Sequence, residues 1–140
     1  MSEGLRLAVA QSTVPEDPTD SASLRASGEE IRQLMREASA AGAKLAHFLE
    51  GAITYPGKHV MSSGPPGTPA AAAWSRIDWS VMRGQAQSVA DLAGELGLWV
   101  VFGSLYPLTP PNRPHNSLSS SPAKARSSLV TTSATCPTRN

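Results

Sequence analysis

Apolar and polar residues follow two alternating patterns over residues 5–108. Short apolar runs predict buried strands at residues 5–11, 44–49 and 98–103. Apolar residues near a 3.6-residue period predict two amphipathic helices, on Leu24, Ile31, Leu34, Met35 and Ala38, and on Met82, Ala86, Val89, Ala93 and Leu96. The order strand, helix, strand, loop, helix, strand predicts an α/β fold.

Residues at the ends of these elements support the same assignment. Asp20 or Ser21 can cap the first helix through a side-chain oxygen, and Gly42 and Gly97 are plausible C-terminal stops. The third strand is apolar throughout, which predicts that both of its faces are covered. Residues 51–73 are rich in Gly, Pro and Ala, which predicts a long surface loop. Loops of this length in compact domains are usually either functional or disordered.

Composition narrows the function classes. A chain of 140 residues is one domain at most, or part of one. Its net charge of +1 argues against electrostatic binding of nucleic acid or an anionic membrane. A single cysteine excludes a disulfide framework and a Cys-rich zinc site. No apolar run is long enough to span a bilayer and no secretory signal is visible, so we expect a cytoplasmic location.

Glu50 is the leading candidate for a catalytic residue. It ends the second apolar run, and ligands of open α/β sheets bind outside the carboxyl ends of strands. Partial burial there would raise its pKa and suit it to general base catalysis, whereas the structural alternative is a carboxylate that caps the next turn. Tyr55 follows with Lys58 and is a candidate substrate-binding residue, although a Pro-Gly turn with a solvated Lys58 explains the segment equally well.

Other reactive side chains give no comparable pattern. Cys136 lies near the C-terminus without periodic structure around it and is interpreted as an incidental thiol. His47, His59 and His115 have no metal-ligand spacing, so no metal site is predicted. No phosphate-binding glycine motif occurs.

Four segments in order resemble the nitrilase superfamily of carbon–nitrogen hydrolases: residues 7–11 (LAVAQ), 48–56 (FLEGAITYP), 98–103 (LWVVFG) and 115–117 (HNS). The resemblance covers about residues 5–117. It departs from the family pattern at Leu49, where Pro commonly precedes the Glu.

The resemblance implies a four-layer α-β-β-α sandwich and catalysis by a Glu, a Lys and a Cys without a cofactor. In that scheme the Cys attacks a nitrile or amide carbon, the Glu is the general base and the Lys stabilises the tetrahedral intermediate. Only the Glu has a counterpart in this sequence, at Glu50. We therefore expect residues 1–118 to form the N-terminal part of such a domain.

The C-terminal segment changes in character. Of residues 117–140, 11 are Ser or Thr, and no Asp or Glu follows Glu95. Such a composition cannot bury enough apolar surface to offset the entropy of ordering, so residues 119–140 are expected to be a disordered, irregular tail.

The tail also permits another interpretation through the genetic code. In a shifted reading frame, each new codon consists of the last base of one original codon and the first two bases of the next. In that frame the codons of Thr131, Thr132 and Ser133 permit Tyr-Asp-Lys, which resembles the family Lys motif. We therefore favour a frameshift near Ser119 over a naturally disordered tail. The family Cys is then expected beyond the C-terminus.

These observations predict a truncated carbon–nitrogen hydrolase. Its intact form would hydrolyse a small-molecule nitrile or amide and could be a homo-oligomer, whereas this chain is expected to be inactive. An apolar sheet face and a sheet edge should then be exposed. The alternative is a non-catalytic small α/β module that binds a ligand or docks on an intact homologue.

Overall fold

The computed structural model describes residues 4–55, 73–109, 114–121 and 130–133. These residues form a five-stranded sheet in which the spatial order follows the chain order. The strands are β1 (Leu7–Ala10), β2 (Leu45–Phe48), β3 (Trp99–Tyr106), β4 (His115–Ser121) and β5 (Val130–Ser133). The helices are α1 (Ser21–Ala40) and α2 (Trp79–Leu96), and a short 3-10 helix (Ala73–Arg76) precedes α2.

The first three strands are parallel and the last two are antiparallel. Ala10 lies opposite Phe48 between β1 and β2, and Leu45 lies opposite Trp99 between β2 and β3. Parallel neighbouring strands need a crossover connection, and here α1 connects β1 to β2 and α2 lies in the connection from β2 to β3. The predicted α/β order is therefore confirmed, and the antiparallel pairs β3–β4 and β4–β5 extend it.

The core lies between the helices and one face of the sheet. Alternate strand residues point towards the helices, because successive side chains of a strand alternate between its two faces. The sheet contributes Ala46, Phe48, Val100 and Phe102, and the helices contribute Leu24, Ile31, Met35, Met82, Val89 and Ala93. Burial of each large aliphatic or aromatic side chain contributes about 1.5–3 kcal/mol, which makes this layer the main source of stability.

The helix ends agree with the predicted signals. Asp20 caps α1 by accepting hydrogen bonds from the Ala22 and Ser23 backbone amides at 2.9 and 3.3 Å. Gly97 ends α2 in the left-handed conformation, with φ of 60°. None of the helices in the described ranges has the length and apolarity required to cross a bilayer.

Regular structure continues past the predicted boundary at residue 118. β4 includes Ser119–Ser121 and β5 covers Val130–Ser133, so these residues are not irregular. The sequence shows no apolar alternation there. The small side chains of Ser117 and Ser119 nevertheless lie on the helix side of the sheet and are buried. Pairing with β3 supplies the backbone hydrogen bonds that the composition did not predict. Residues 122–129 and 134–140 lie outside the described residues.

The other face of the sheet is exposed along β1 and at the start of β3. β3 was expected to be covered on both faces, but the Trp99 side chain is 47% exposed. The described helices both pack on the opposite face, and this leaves Leu7 and Val9 of β1 exposed as well. The exposed apolar face expected for a partial sandwich is therefore present.

Candidate active site at the carboxyl ends of the parallel strands

Two chain segments leave the sheet side by side at the carboxyl ends of β1 and β2. The last registered pair between these strands is Ala10 with Phe48. Ser12 and Glu50 each follow two residues later, so both lie at the same edge of the sheet. This edge is where open α/β sheets bind their ligands.

The turn that carries Glu50 packs its backbone directly against β3. The Gly103 amide donates to the Leu49 carbonyl oxygen, and the Ile53 amide donates to the Gly103 carbonyl oxygen, each at 3.4 Å. A Cβ on Gly103 would lie 2.4 Å from the Gly51 nitrogen and 2.8 Å from the Glu50 Cα. Only a residue without a side chain therefore fits beneath this turn.

The Glu50 side chain is exposed rather than partly buried. The expectation of partial burial is not met, because the turn presses its backbone inwards against Gly103 and leaves the side chain on the outside. A carboxylate in this position can accept hydrogen bonds and a proton from a ligand that approaches the sheet edge.

Tyr55 packs against the residue that follows Glu50. Gly51 has φ of 67°, and a Cβ there would lie 2.8 Å from the Tyr55 Cβ and 2.9 Å from its Cδ2. The Tyr55 side chain is nevertheless 53% exposed, so one part of the ring covers the turn and another meets solvent. The structure thus places the two residues singled out in the sequence on one short turn.

Hydrogen bonds fix this turn to the loop that follows β1. The Pro15 carbonyl oxygen accepts from Thr54 Oγ1 at 2.7 Å and from the Tyr55 amide at 3.1 Å. Ser27 Oγ on α1 donates to the Ala52 carbonyl oxygen at 2.9 Å. Residues 51–54 are buried, so the turn is a fixed part of the domain up to Thr54.

Ser12 is a feature that sequence reasoning missed. Its residue is 7% exposed, and among the described residues its Oγ has no hydrogen-bond partner. The adjacent Thr13 is held by Glu30, which accepts from the Thr13 amide at 3.1 Å and from Oγ1 at 3.3 Å. Its position in the sequence could have identified it, because Ser12 comes two residues after the end of β1, as Glu50 comes two residues after the end of β2.

Acidic residues at the helix N-termini have structural roles. The Ser21 hydroxyl donates to Asp78 Oδ2 at 2.5 Å, and this bond ties the first residue of α1 to the cap of α2. That bond, the Val81 amide and the Ser80 hydroxyl lower the Asp78 pKa to about 2. Hydrogen bonds from Ser23 and Ala22 likewise lower the Asp20 pKa.

The remaining candidate residues do not join this site. His47 lies within β2 on the open face of the sheet, where it is exposed. In the part of the chain that the structure describes, no three His, Cys, Asp or Glu side chains are grouped to hold a metal ion. Lys58, His59 and Cys136 lie outside the described residues.

Solved structures share the fold of this chain, although no family model and no curated protein matches the sequence. An amidase of Nesterenkonia AN1 from the nitrilase superfamily, in a mutant form, aligns with a TM-score of 0.59 and 16% identity over 90% of this chain and 40% of its own. The complex of a mutant of the amidase from Nesterenkonia sp. AN1 with butyramide aligns with a TM-score of 0.54 and 17% identity over 91% and 41%.

These alignments establish the fold of the chain at a low level of sequence identity. The chain spans about 40% of the length of the amidases that it matches. The aligned part of each amidase is therefore a portion of a longer chain. The chain therefore has a partial nitrilase-like fold.

Proposed function

We propose that this chain is the N-terminal portion of a carbon–nitrogen hydrolase whose intact form hydrolyses a small amide or a nitrile, with Glu50 as the general base. The observation that carries the proposal is the position of Glu50, at the carboxyl end of β2 in a sheet that aligns with nitrilase-superfamily amidases. One such neighbour was solved in complex with butyramide, which favours a small aliphatic amide as the substrate class.

Glu50 has the chemistry that this role requires. A nucleophilic thiol of the intact protein would transfer its proton to the Glu50 carboxylate as sulfur attacks the amide carbon, and the carboxylic acid would then protonate the departing amine. Water would later attack the acyl-enzyme while the same carboxylate accepts its proton, and the C–S bond would break as the carboxylic acid returns that proton to the departing thiolate. The fixed backbone from Gly51 to Thr54 limits the positions available to the carboxylate.

Tyr55 is proposed as a substrate-binding residue at the rim of this site. Its ring lies against Gly51 and is half exposed, so it offers an apolar surface and a phenol hydroxyl on the turn that carries Glu50. An aliphatic amide could pack its alkyl chain on the ring while its amide group reaches the carboxylate. In the intact protein, Tyr55→Ala should then raise KM more for butyramide than for acetamide.

The 140-residue chain is proposed to lack turnover. The resemblance matches only one of the three catalytic residues, and such residues act as a unit, so Glu50 alone supplies little rate enhancement. We propose that a frameshift near Ser119 removed the Lys, which Thr131, Thr132 and Ser133 would encode as part of Tyr-Asp-Lys. We also propose that the Cys is encoded further downstream.

The decisive experiment begins with the coding DNA. The bases should permit Tyr-Asp-Lys across Thr131–Ser133 in a shifted frame, and a Cys codon should follow downstream in that frame. The protein of the restored frame should release ammonia from acetamide or butyramide, whereas the 140-residue chain should not. Failure of the DNA to encode a Lys there refutes the frameshift.

A pair of variants tests the role of Glu50 in the restored protein. Glu50→Gln should lower kcat by about 10²–10⁴-fold, because the amide cannot accept the proton. Glu37→Gln is the matched control, since Glu37 is exposed on α1 and accepts a hydrogen bond from Gln33 at 3.0 Å. Equal activities of both variants would contradict the assignment of Glu50.

A further inference from the structure

The hydrogen bonds that join the backbone on either side of Glu50 to β3 are long. The Gly103 amide donates to the Leu49 carbonyl oxygen, and the Gly103 carbonyl oxygen accepts from the Ile53 amide, each at 3.4 Å. Strong N–H···O bonds in proteins fall between about 2.7 and 3.2 Å. These two bonds therefore hold the turn weakly, and precise placement of the Glu50 carboxylate requires a stronger contact.

Thr54 makes a much shorter hydrogen bond on the same turn. Its Oγ1 donates to the Pro15 carbonyl oxygen at 2.7 Å, which is the most favourable distance for an O–H···O bond. Thr54 is fully buried, so water does not compete for this donor. The same carbonyl oxygen accepts from the Tyr55 amide at 3.1 Å, and the two donors occupy both of its lone pairs. Thr54 is therefore a stronger polar anchor for the turn than either bond to β3.

The loop that follows β1 is itself attached to α1. Glu30 accepts from the Thr13 amide and from Thr13 Oγ1, at 3.1 and 3.3 Å. Ser27 lies three residues before Glu30, on the same side of the helix, and its Oγ donates to the Ala52 carbonyl oxygen at 2.9 Å. The Thr54 hydroxyl joins these attachments, because it links the loop that Glu30 holds to the turn that Ser27 holds. The helix, the loop and the turn thus form a closed ring of contacts.

We propose that Thr54 is a positioning residue for Glu50, and that its hydroxyl fixes the turn so that the carboxylate keeps the place that general base catalysis requires. Thr54 acts through the backbone of residues 51–54, because its own side chain is buried away from any substrate. Misplacement of a reacting group by about 1 Å can lower a rate about 10²-fold. The catalytic consequence rests on the proposed role of Glu50, whereas the hold on the turn can be measured without any activity.

Three substitutions separate the hydroxyl from the rest of the side chain. Thr54→Val keeps the branched shape and removes the donor, and Thr54→Ser keeps the donor and removes one methyl group. Thr19→Val is the matched control, because Thr19 makes a similar bond within the loop after β1, from its Oγ1 to Asp17 Oδ1 at 2.6 Å. Circular dichroism and urea titration of each variant measure any general loss of stability.

Amide hydrogen exchange of the 140-residue chain, followed by nuclear magnetic resonance, tests the anchor directly. The Ile53 and Tyr55 amides report the turn, and the Trp99 amide, hydrogen-bonded at 3.0 Å at the start of β3, is the internal reference. Thr54→Val should raise the exchange rates of Ile53 and Tyr55 at least about tenfold relative to that of Trp99, because the turn opens locally. Thr54→Ser and Thr19→Val should leave this ratio unchanged. A general loss of stability would speed the exchange of all three amides alike.

Kinetics of the restored protein test the catalytic consequence. Thr54→Val should lower kcat by about 10–100-fold for both acetamide and butyramide with little change in KM, because it displaces the carboxylate and not a substrate contact. Thr54→Ser should recover most of the lost kcat, and Thr19→Val should match the wild type. The equal effect on both amides separates Thr54 from Tyr55, whose replacement by Ala is expected to raise KM.

The exchange and kinetic measurements fail in different ways. An unchanged exchange ratio in Thr54→Val, or an equal increase in Thr19→Val, would overturn the proposal. So would an active restored protein in which Thr54→Val keeps the wild-type kcat, or one in which Thr54→Ser loses as much kcat as Thr54→Val. A restored wild type without amidase activity would instead contradict the proposed function, and the exchange ratio would then still decide whether Thr54 anchors the turn.

Discussion

Gly103 lies directly beneath Gly51, so that a Cβ on Gly103 would come within 2.4 Å of the Gly51 backbone nitrogen. This close approach joins the turn of the candidate catalytic residue to the third strand. The position of Glu50 therefore depends on a residue more than fifty positions away in the sequence. A change at Gly103 should be felt at the sheet edge without any direct contact with a substrate.

Gly103→Ala should destabilise the protein by about 1–3 kcal/mol, because the added methyl group must displace the Glu50–Gly51 backbone. Urea denaturation followed by circular dichroism measures this loss. Gly84→Ala in α2 is the control, since a Cβ there meets nothing within 4 Å and should stabilise the helix by about 0.5–1 kcal/mol. Equal stabilities of the two variants would contradict the close packing at Gly103.

Gly51→Ala should cost more stability than Gly97→Ala. Both glycines have positive φ, 67° and 60°, so both substitutions strain the backbone by roughly 1–2 kcal/mol. A Cβ on Gly97 meets nothing within 4 Å, whereas one on Gly51 would collide with Tyr55. The difference between their free energies of unfolding reports the Tyr55 contact, and a zero difference would refute it.

The hydrogen bonds of Asp78 should make the protein sensitive to acid. Its pKa falls to about 2 in the folded state from an ordinary value of 3.8. The stabilisation that the ionised Asp78 carboxylate provides is therefore complete at pH values above its ordinary pKa of 3.8, and it is lost as the pH falls towards 2. The wild type should exceed Asp78→Asn in stability at pH 6, and the gap should shrink between pH 4 and pH 2.

Urea titrations of both proteins across that pH range, extrapolated to water, measure the gap. Asp78→Ser is a useful control, because a Ser side chain can still cap α2 without a titrating carboxyl group. A gap that stays constant down to pH 2 would show that the Asp78 carboxylate is not stabilised by folding.

Ser12 and Ser27 should respond in opposite directions to removal of their hydroxyl groups. Both residues are buried, at 7% and 4% exposure, but Ser27 Oγ donates to the Ala52 carbonyl oxygen and Ser12 Oγ is unpaired within the described ranges. Ser27→Ala should lose about 1 kcal/mol and leave that carbonyl unsatisfied. Ser12→Ala should be neutral or stabilising.

The two serine variants also test the loop after β1. Thermal unfolding of Ser12→Ala and Ser27→Ala in parallel gives the comparison directly. A loss of stability in Ser12→Ala as large as that in Ser27→Ala would indicate that the Ser12 hydroxyl has a partner in solution. The loop is otherwise held by Glu30 through Thr13, which neither substitution changes.

Local sequence signals were sufficient for the elements that bury a regular apolar stripe. The spacing of Leu24, Ile31, Met35 and Ala38 predicted α1, and Asp20, one of the two candidate caps, is the residue that caps it. Three apolar runs predicted the parallel strands, and their order along the chain placed Glu50 at a carboxyl end. These features depend on periodicity and capping, which are properties of neighbouring residues in the sequence.

Contacts between residues far apart in the sequence determined the other features of the fold and of the candidate site. Ser117 and Ser119 carry no strand signal, yet pairing with β3 places them in β4, because backbone hydrogen bonds do not depend on side-chain hydrophobicity. The approach of Gly103 to Gly51 and the burial of Ser12 arise where separate segments meet. The apolar runs specified which residues form strands, but only the packing of α1 and α2 on one side determined which sheet face remains open.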